Sequence, residues 1–304
     1  MATNYHEPVM LQESLEHLRI RKDGIYVDAT FGGGGHARAI LNQLGESGKL
    51  YAFDQDRDAS KNLLSDQRLV FIQANFCHLE NYLGFYGVKG VDGILADLGV
   101  SSHQFDTGER GFSIRFEGPL DMRMNTESGL TAADVLNQYS KEDLIVIFRE
   151  YGEIKQSGRL VSAFIRRREE KEFKTTAELI EIAQGFCKPQ EKNQFLSRVF
   201  QALRMEVNSE IDVLKKFLVQ ACNALKPEGR LVVISYHSGE DRLVKNFMAS
   251  GNFEGRLEKD LYGNILRPLT PQLRKPLIPT NEELQSNNRS RSEKLRVAQK
   301  NLAV

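Results

Sequence analysis

The chain is short of cysteine and has no long apolar run, and each shortage removes a class of protein. Its three cysteines, Cys77, Cys187 and Cys222, are scattered and odd in number, which excludes a disulfide framework and suits a reducing compartment. No stretch approaches the roughly 20 apolar residues of a membrane span, so no membrane partner is expected. The opening MATNYHEPVM lacks the basic-then-apolar order of a secretory leader, and the expected location is cytoplasmic. The six histidines show neither H-E-x-x-H nor Cys/His ligand spacing, so no zinc site is expected. No G-x-S-x-G elbow accompanies the Ser-His pair near residue 237, which argues against acyl transfer. A formal net charge of zero supplies no general attraction to nucleic acid, so phosphate binding has to come from local clusters of Lys and Arg.

What is present is an alternation of strand and helix. The apolar run Ile25-Tyr26-Val27 leads into glycines and a helical stretch from about His36 to Leu44, a βα unit. The runs Lys49 to Phe53, Leu69 to Ile72 and Gly93 to Ala96 are short, apolar and separated by polar helical segments, as a parallel sheet requires. A fifth strand, Arg230 to Tyr236, follows more than 100 residues later. A crossover needs only about a dozen residues, so the sheet is interrupted by an inserted subdomain. Thr131, Ser140 and Thr175 each stand three residues before an acid (Asp134, Asp143, Glu178), the capping-box spacing that marks the insert as helical. One helix is expected from about Ser197 to Leu225, with Val199, Leu203, Val207, Ile211, Leu214 and Leu218 on one face and Pro227 as its stop. Beyond the fifth strand, Leu257 to Leu269 reads as a hairpin around Tyr262-Gly263-Asn264, and Leu295-Arg296-Val297 is strand-like. The expected division is 1–103, an inserted 104–206, and 207–304.

The main chemical signal is Val27-Asp28-Ala29-Thr30-Phe31-Gly32-Gly33-Gly34-Gly35-His36, a strand entering a glycine loop that opens a helix. Such a loop lets a ligand approach the backbone and offers helix N–H groups to an anion, either a pyrophosphate or the carboxylate of an amino-acid-bearing cofactor. Asp54, at the end of the second strand, is placed to accept from both ribose hydroxyls of an adenosine. A plain tight turn followed by an exposed acid is the alternative. Asp97 ends the fourth strand beside the expected crevice, with a helix cap as its other reading. The mixed-charge stretches Glu109 to Ser113 and Leu120 to Met124 read as a lid or as a salt-bridged linker. His237 follows the fifth strand and reads as a substrate-contacting or acid-base residue, with a purely structural role as its other reading. Basic residues gather at Arg159, Arg166, Arg167, Arg168, Lys171 and Lys174, and again at Arg289, Arg291, Lys294, Arg296 and Lys300. Either group suits phosphates, or is a solvated face.

Taken together, the Asp28 to His36 loop, Asp92 to Ser102, Glu109 to Ser113, Gly118 to Met124, Phe200-Gln201-Ala202-Leu203-Arg204 with Val207-Asn208, and Ser235 to Ser238 resemble the RsmH/MraW family, from His6 to Arg296. The resemblance implies a Rossmann-like α/β methyltransferase fold with an inserted helical substrate-recognition domain, S-adenosylmethionine as cofactor, and methylation of a cytidine N4 in the decoding region of 16S rRNA in the small ribosomal subunit. It implies cofactor contacts at Gly34, Gly35, His36, Asp54, Phe76, Asp97 and Gln104, with Phe76 as the adenine-stacking ring. Chemistry at the amine needs acceptors near Asp97, so the Asp97 carboxylate or the Leu98 carbonyl takes its N–H, with Ser101, Ser102 and His237 shaping the base pocket. His103, Phe105, Gly239, Asn288 and Ser290 depart from the family's usual residues, and Gly239 is expected to loosen the loop after His237. A nicotinamide-dependent oxidoreductase and a non-catalytic RNA-binding assembly factor are the alternative functions. Whether the chain forms a homodimer is left open.

Overall fold

A computed structural model gives the fold, with residues 8–127, 129–286 and 292–302 described. His6, Asn288, Arg289, Ser290 and Arg291, named above, lie outside the described residues. The chain divides into two compact units, Met1–Gly99 with Asp212–Val304, and Val100–Ile211. The first divide comes earlier than the expected 103/104 because Gly99, at φ 99°, turns the chain just after the fourth strand. The second comes later than 206/207.

In chain order the first unit begins with α1 (Leu11–Leu18), β1 (Ile25–Asp28), α2 (Gly35–Gln43), β2 (Lys49–Asp54), β3 (Leu69–Gln73), α3 (Leu79–Phe85) and β4 (Val91–Asp97). The second unit holds α4 (Ser102–Asp106), α5 (Ala132–Gln138), α6 (Lys141–Glu150), α7 (Ser157–Glu170), α8 (Thr176–Ala183) and α9 (Lys192–Val207). The return runs through α10 (Glu210–Ala224), β5 (Leu225–Ser235), α11 (Ser238–Ser250), β6 (Leu269–Pro271), α12 (Asn281–Ser286) and β7 (Lys294–Lys300).

The strands form one sheet in the order β3-β2-β1-β4-β5-β7-β6. The pairs from β3 through β5 are parallel, and β7 runs antiparallel to β5 and β6. Each central strand buries both faces. Ile94 and Ala96 of β4, with Leu231 and Val233 of β5, join a core closed by Leu214 and Phe217 of α10 and by Val244 and Phe247 of α11. Leu95, Val232 and Ile234 point the other way, into a core with Leu15 and Leu18 of α1 and Ile40 and Leu41 of α2. Two-sided burial explains why these strands read as continuous apolar runs rather than alternating ones. The strand order reverses between β1 and β4, and in such a sheet the ligand crevice lies beyond the carboxyl ends of the strands at that reversal.

The second unit has its own core, with Phe164 at 5.4 Å from Phe148 and 5.7 Å from Phe173, ring centre to ring centre. Thr131 and Thr175 close full capping boxes with Asp134 and Glu178, and the Ser140 side chain caps α6. Residues 109–113 and 120–124 are packed into this unit: Phe112, Leu120, Met122 and Met124 are buried, and Arg110 donates to the carbonyls of Arg123 and Met124. They are therefore core segments rather than a lid.

Three expectations change. The helix expected over 197–225 is two helices, broken at Ser209, whose φ of 48° is left-handed. Asn208 fixes the break by accepting from the Met124 N–H and donating to the carbonyls of Met122 and Arg204. Pro227 does not stop a helix; it lies inside β5, ahead of the run that pairs with β7. The hairpin at 257–269 is reduced to one bridge between Lys259 and Ile265, with Asp260 holding the turn through Tyr262 and Asn264. Removing the Asn208 amide strands three backbone groups, one on a helix and two in the core loop. Asn208→Ala is expected to cost about 3 kcal/mol, read as an earlier urea midpoint; an unchanged midpoint would show that the loop is anchored elsewhere.

Candidate active site at the carboxyl edge of the sheet

Three strands end in acids at the same edge: Asp28 on β1, Asp54 on β2 and Asp97 on β4. The glycine loop after β1 is tied down on both sides. Ala29 N–H donates to Leu95 O and Phe31 N–H to Phe53 O, each at 2.8 Å. Gly32 N–H donates to Asp54 Oδ2 at 2.8 Å, and Asn62 holds the Gly32 carbonyl. Two of the glycines have backbone reasons of their own. Gly34 sits at φ 75° as the N-cap of α2, and a Cβ on Gly35 would lie 2.2 Å from Pro8 Cγ. Because Gly34 has no side chain to cap with, the first N–H groups of α2 receive no side-chain acceptor from it. That is an anion-binding helix end.

Asp54 is spent partly on organising its surroundings, since Oδ2 takes the Gly32 N–H and Oδ1 the Asp56 N–H. Phe76 opens a short turn after β3, half-buried, with its ring at 4.9 Å and 72° to that of Phe217.

Asp97 is the centre of the edge. Its N–H donates to Thr30 Oγ1, and its Oδ1 accepts from the Tyr236 hydroxyl at 3.0 Å. The side chain is 21% exposed to the crevice. Burial is the main cause that pushes its carboxyl up to about 7, against the Tyr236 hydrogen bond, with the charges of Asp28, Glu240 and Glu283 adding to the rise. Asp28 is fully buried and likewise pushed up to about 7, mainly by burial. Its Oδ1 takes the Thr30 N–H, while Oδ2 has no partner among the described residues.

His36 is neutral here, since burial pushes its imidazole down to about 4. Its Nε2 faces the Val9 carbonyl at 3.2 Å, which can only accept, so the proton is on Nε2 and Nδ1 is bare. Nδ1 looks at Asp97 Oδ2 from 3.9 Å, too far for a hydrogen bond between them. Two acceptors facing each other at that separation create a place for a donor.

His237 is the N-cap of α11. Its Nδ1 accepts from Glu240 N–H at 3.3 Å, the Glu240 carboxylate reaches back to the Tyr236 and His237 N–H groups, and Nε2 lies 3.2 Å from Glu240 Oε1. The capping contact fixes the tautomer with the proton on Nε2 and ties the ring to the helix. Gly239, expected to loosen this stretch, lies in the first turn of α11. In the second unit, Ser101 and Gln104 form the capping box of α4, Ser101 Oγ accepting from Gln104 N–H and Gln104 Oε1 from Ser101 N–H. Ser102 is the first residue of that helix.

The edge thus brings together Gly34, Gly35, His36, Asp54, Phe76, Asp97 and His237, while Ser101, Ser102 and Gln104 belong to the other unit. Asp28, Tyr236 and Glu240 were not singled out as site residues from sequence. Tyr236 lay inside a recognised motif, but only the fold turns its hydroxyl to Asp97. The basic clusters are largely committed to structure. Arg167 and Lys171 pair with Glu178, and Arg168 donates to the carbonyls of Leu136 and Tyr139 at the end of α5. Lys294 and Arg296 both pair with Asp241, and Lys300 donates to the Cys222 carbonyl. The second unit also contains a cavity of about 420 Å³ whose walls include Phe105, Phe112 and Phe200 with Arg115, Asn193 and Gln201. Nothing in composition marked it, because its walls are drawn from three separate stretches.

The family described as MraW methylase family matches residues 3–301. The ribosomal RNA small subunit methyltransferase H of Parabacteroides distasonis is 54% identical over 297 residues, covering 97% of each chain. The proteins of the same name from Phocaeicola vulgatus and Amoebophilus asiaticus are each 53% identical, over 296 and 301 residues, covering 97% and 98% of this chain and 97% of theirs. The oxidoreductase and non-catalytic readings receive no support from these relatives.

The buried acids make stability depend on pH. Asp28 and Asp97 have folded values near 7, above their ordinary ones, so the stability they contribute is complete in acid and lost as pH rises through about 7. His36, depressed to about 4, contributes stability that is present above about pH 6.5 and lost as pH falls through about 4. The ligand-free protein is therefore expected to lose thermal stability as pH rises from about 4 to about 7, the two acids outweighing the single imidazole, and to level off above that, with Asp97→Asn lessening the loss. Melting curves across this range check it; identical slopes for the two proteins would rule out Asp97 as a contributor.

Proposed function

The chain belongs to the MraW methylase family, and from that premise we propose that it methylates N4 of a cytidine in the decoding region of 16S rRNA, acting in the cytoplasm. It is an S-adenosylmethionine-dependent methyltransferase. The names of its relatives, small-subunit ribosomal RNA methyltransferases, support the RNA substrate. No helix among the described residues is long and apolar enough to cross a membrane.

The residues present suit the cofactor. The uncapped N-terminus of α2 offers N–H groups to a carboxylate, the orphan Oδ2 of Asp28 is a buried acceptor for an ammonium, and Asp54 sets a carboxylate at the end of β2, where an adenosine ribose would lie in this reading. Phe76 stands at the next strand end as the ring for an adenine in this reading. When bound, S-adenosylmethionine supplies a methyl carbon made electrophilic by a sulfonium.

The observation that carries the proposal is the pair of acceptors at Asp97 Oδ2 and His36 Nδ1, 3.9 Å apart at the strand reversal. An exocyclic amine is a double donor and a weak nucleophile, because its lone pair is delocalised into the ring. Asp97 accepts one N–H, which raises electron density on nitrogen and aims the lone pair, and it is the nearest base for the proton released after transfer. A carboxyl poised near 7 suits that duty at neutral pH. The ring of His237, fixed by its own cap, faces the base in this reading. The second unit recognises the RNA. Its cavity combines aromatic faces with amide and guanidinium donors, the chemistry that holds an unstacked base.

The test is transfer of labelled methyl from S-adenosylmethionine to small-subunit particles from cells lacking the gene, followed by nucleoside analysis. N4-methylcytidine is the expected product, and Asp97→Asn is expected to lower kcat by about 10²–10³-fold. Methylation of another base, or of no base, would overturn the proposal.

A further inference from the structure

The antiparallel register of β5 and β7 pairs Ile234 with Leu295 and Ser235 with Lys294. One step further along both strands it sets Tyr236 opposite Glu293, a residue that no part of the mechanism above uses. Glu293 is 1% exposed, and neither carboxyl oxygen has a hydrogen-bond partner at ordinary distance among the described residues. The groups facing it are Asp97, Glu283 of α12 and the Tyr236 hydroxyl. Those facing Asp97 and Tyr236 in turn are Asp28, Glu240, Glu283 and neutral His36. The cations that follow Glu293 on β7, Lys294 and Arg296, are engaged by Asp241. Among the described residues the charges that act on Glu293 are thus acids, and burial together with Asp97 and Glu283 pushes its carboxyl up to about 8. At neutral pH it holds its proton and has one O–H to donate.

Tyr236 gives its own proton to Asp97 Oδ1 at 3.0 Å, which leaves its oxygen to accept. We infer that Glu293 is a positioning residue: its acid O–H donates to the Tyr236 oxygen, committing the Tyr236 proton to Asp97 Oδ1 and reserving Asp97 Oδ2 for the substrate amine. The inference rests on the reading of Asp97 as the amine acceptor. When Glu293 ionises it becomes a rival acceptor for the Tyr236 proton and adds a negative charge beside Asp97, so turnover falls in mild alkali. Glu293→Gln keeps a donor that cannot ionise. Glu293→Leu keeps the bulk and loses the donor.

The experiment measures kcat against pH for the wild type, E293Q, E293L and D97N on small-subunit particles, together with the infrared band of protonated carboxyl groups. E293Q is expected to keep wild-type kcat at neutral pH within about twofold, to lose the alkaline fall, and to lack one protonated-carboxyl band. E293L is expected to lose about tenfold in kcat, the worth of one buried hydrogen bond, with KM for S-adenosylmethionine unchanged. An alkaline fall that persists in E293Q, or E293Q and E293L equally impaired, would overturn the inference and leave Glu293 a packing residue. Should E293L fail to fold, the E293Q profile and its infrared band still decide. D97N separates the two claims: full activity in D97N defeats the acceptor role of Asp97, whereas an inactive D97N beside an E293Q with the wild-type profile defeats only the role of Glu293.

Discussion

Everything at the functional edge depends on carboxyl groups held away from water where the strand order reverses. Asp28 and Asp97 end adjacent parallel strands, β1 and β4, so the fold itself places two acids side by side with little solvent to separate their charges. Desolvation acts first, with the charge of Asp54 adding to it at Asp28 and those of Asp28, Glu240 and Glu283 at Asp97, and both acids rise to near 7. Donors at this edge become valuable: the Tyr236 hydroxyl, the Thr30 N–H and the helix start at Gly35 each hold one acceptor or await one. An edge so rich in acceptors is poised for ligands that bring positive charge and N–H groups, as a sulfonium, an ammonium and an exocyclic amine do.

The same economy explains why many charges that suggested RNA are occupied. Glu178 holds Arg167 and Lys171, and Asp241 holds Lys294 and Arg296. Under the proposed function, recognition in the second unit falls to its aromatic cavity, where shape and stacking do what a net charge of zero cannot.

The sheet was legible because its central strands bury both faces and so appear as unbroken apolar runs. Leu231 to Ile234 shows this most clearly, with alternate residues in opposite cores. The insert was legible from the Thr131 and Thr175 capping boxes. The break between α9 and α10 was not, because apolar spacing continues across it while its cause is the Asn208 amide bonding to residues 122 and 124, remote in sequence. The glycine loop, Asp54 and Asp97 could be placed from their positions after strands. Glu293 could not, since its significance arises only from the register of β7 against β5, and short-range pattern carries no information on which residue stands opposite which.

The central claim is that acids at this edge hold protons at neutral pH until a cationic ligand arrives. Calorimetry of S-adenosylmethionine binding near pH 7, in buffers of different ionisation enthalpy, counts the protons exchanged. The account predicts release of up to about one proton, and less for S-adenosylhomocysteine, which lacks the sulfonium charge. Heats that do not depend on the buffer, and equal behaviour of the two ligands, would contradict it.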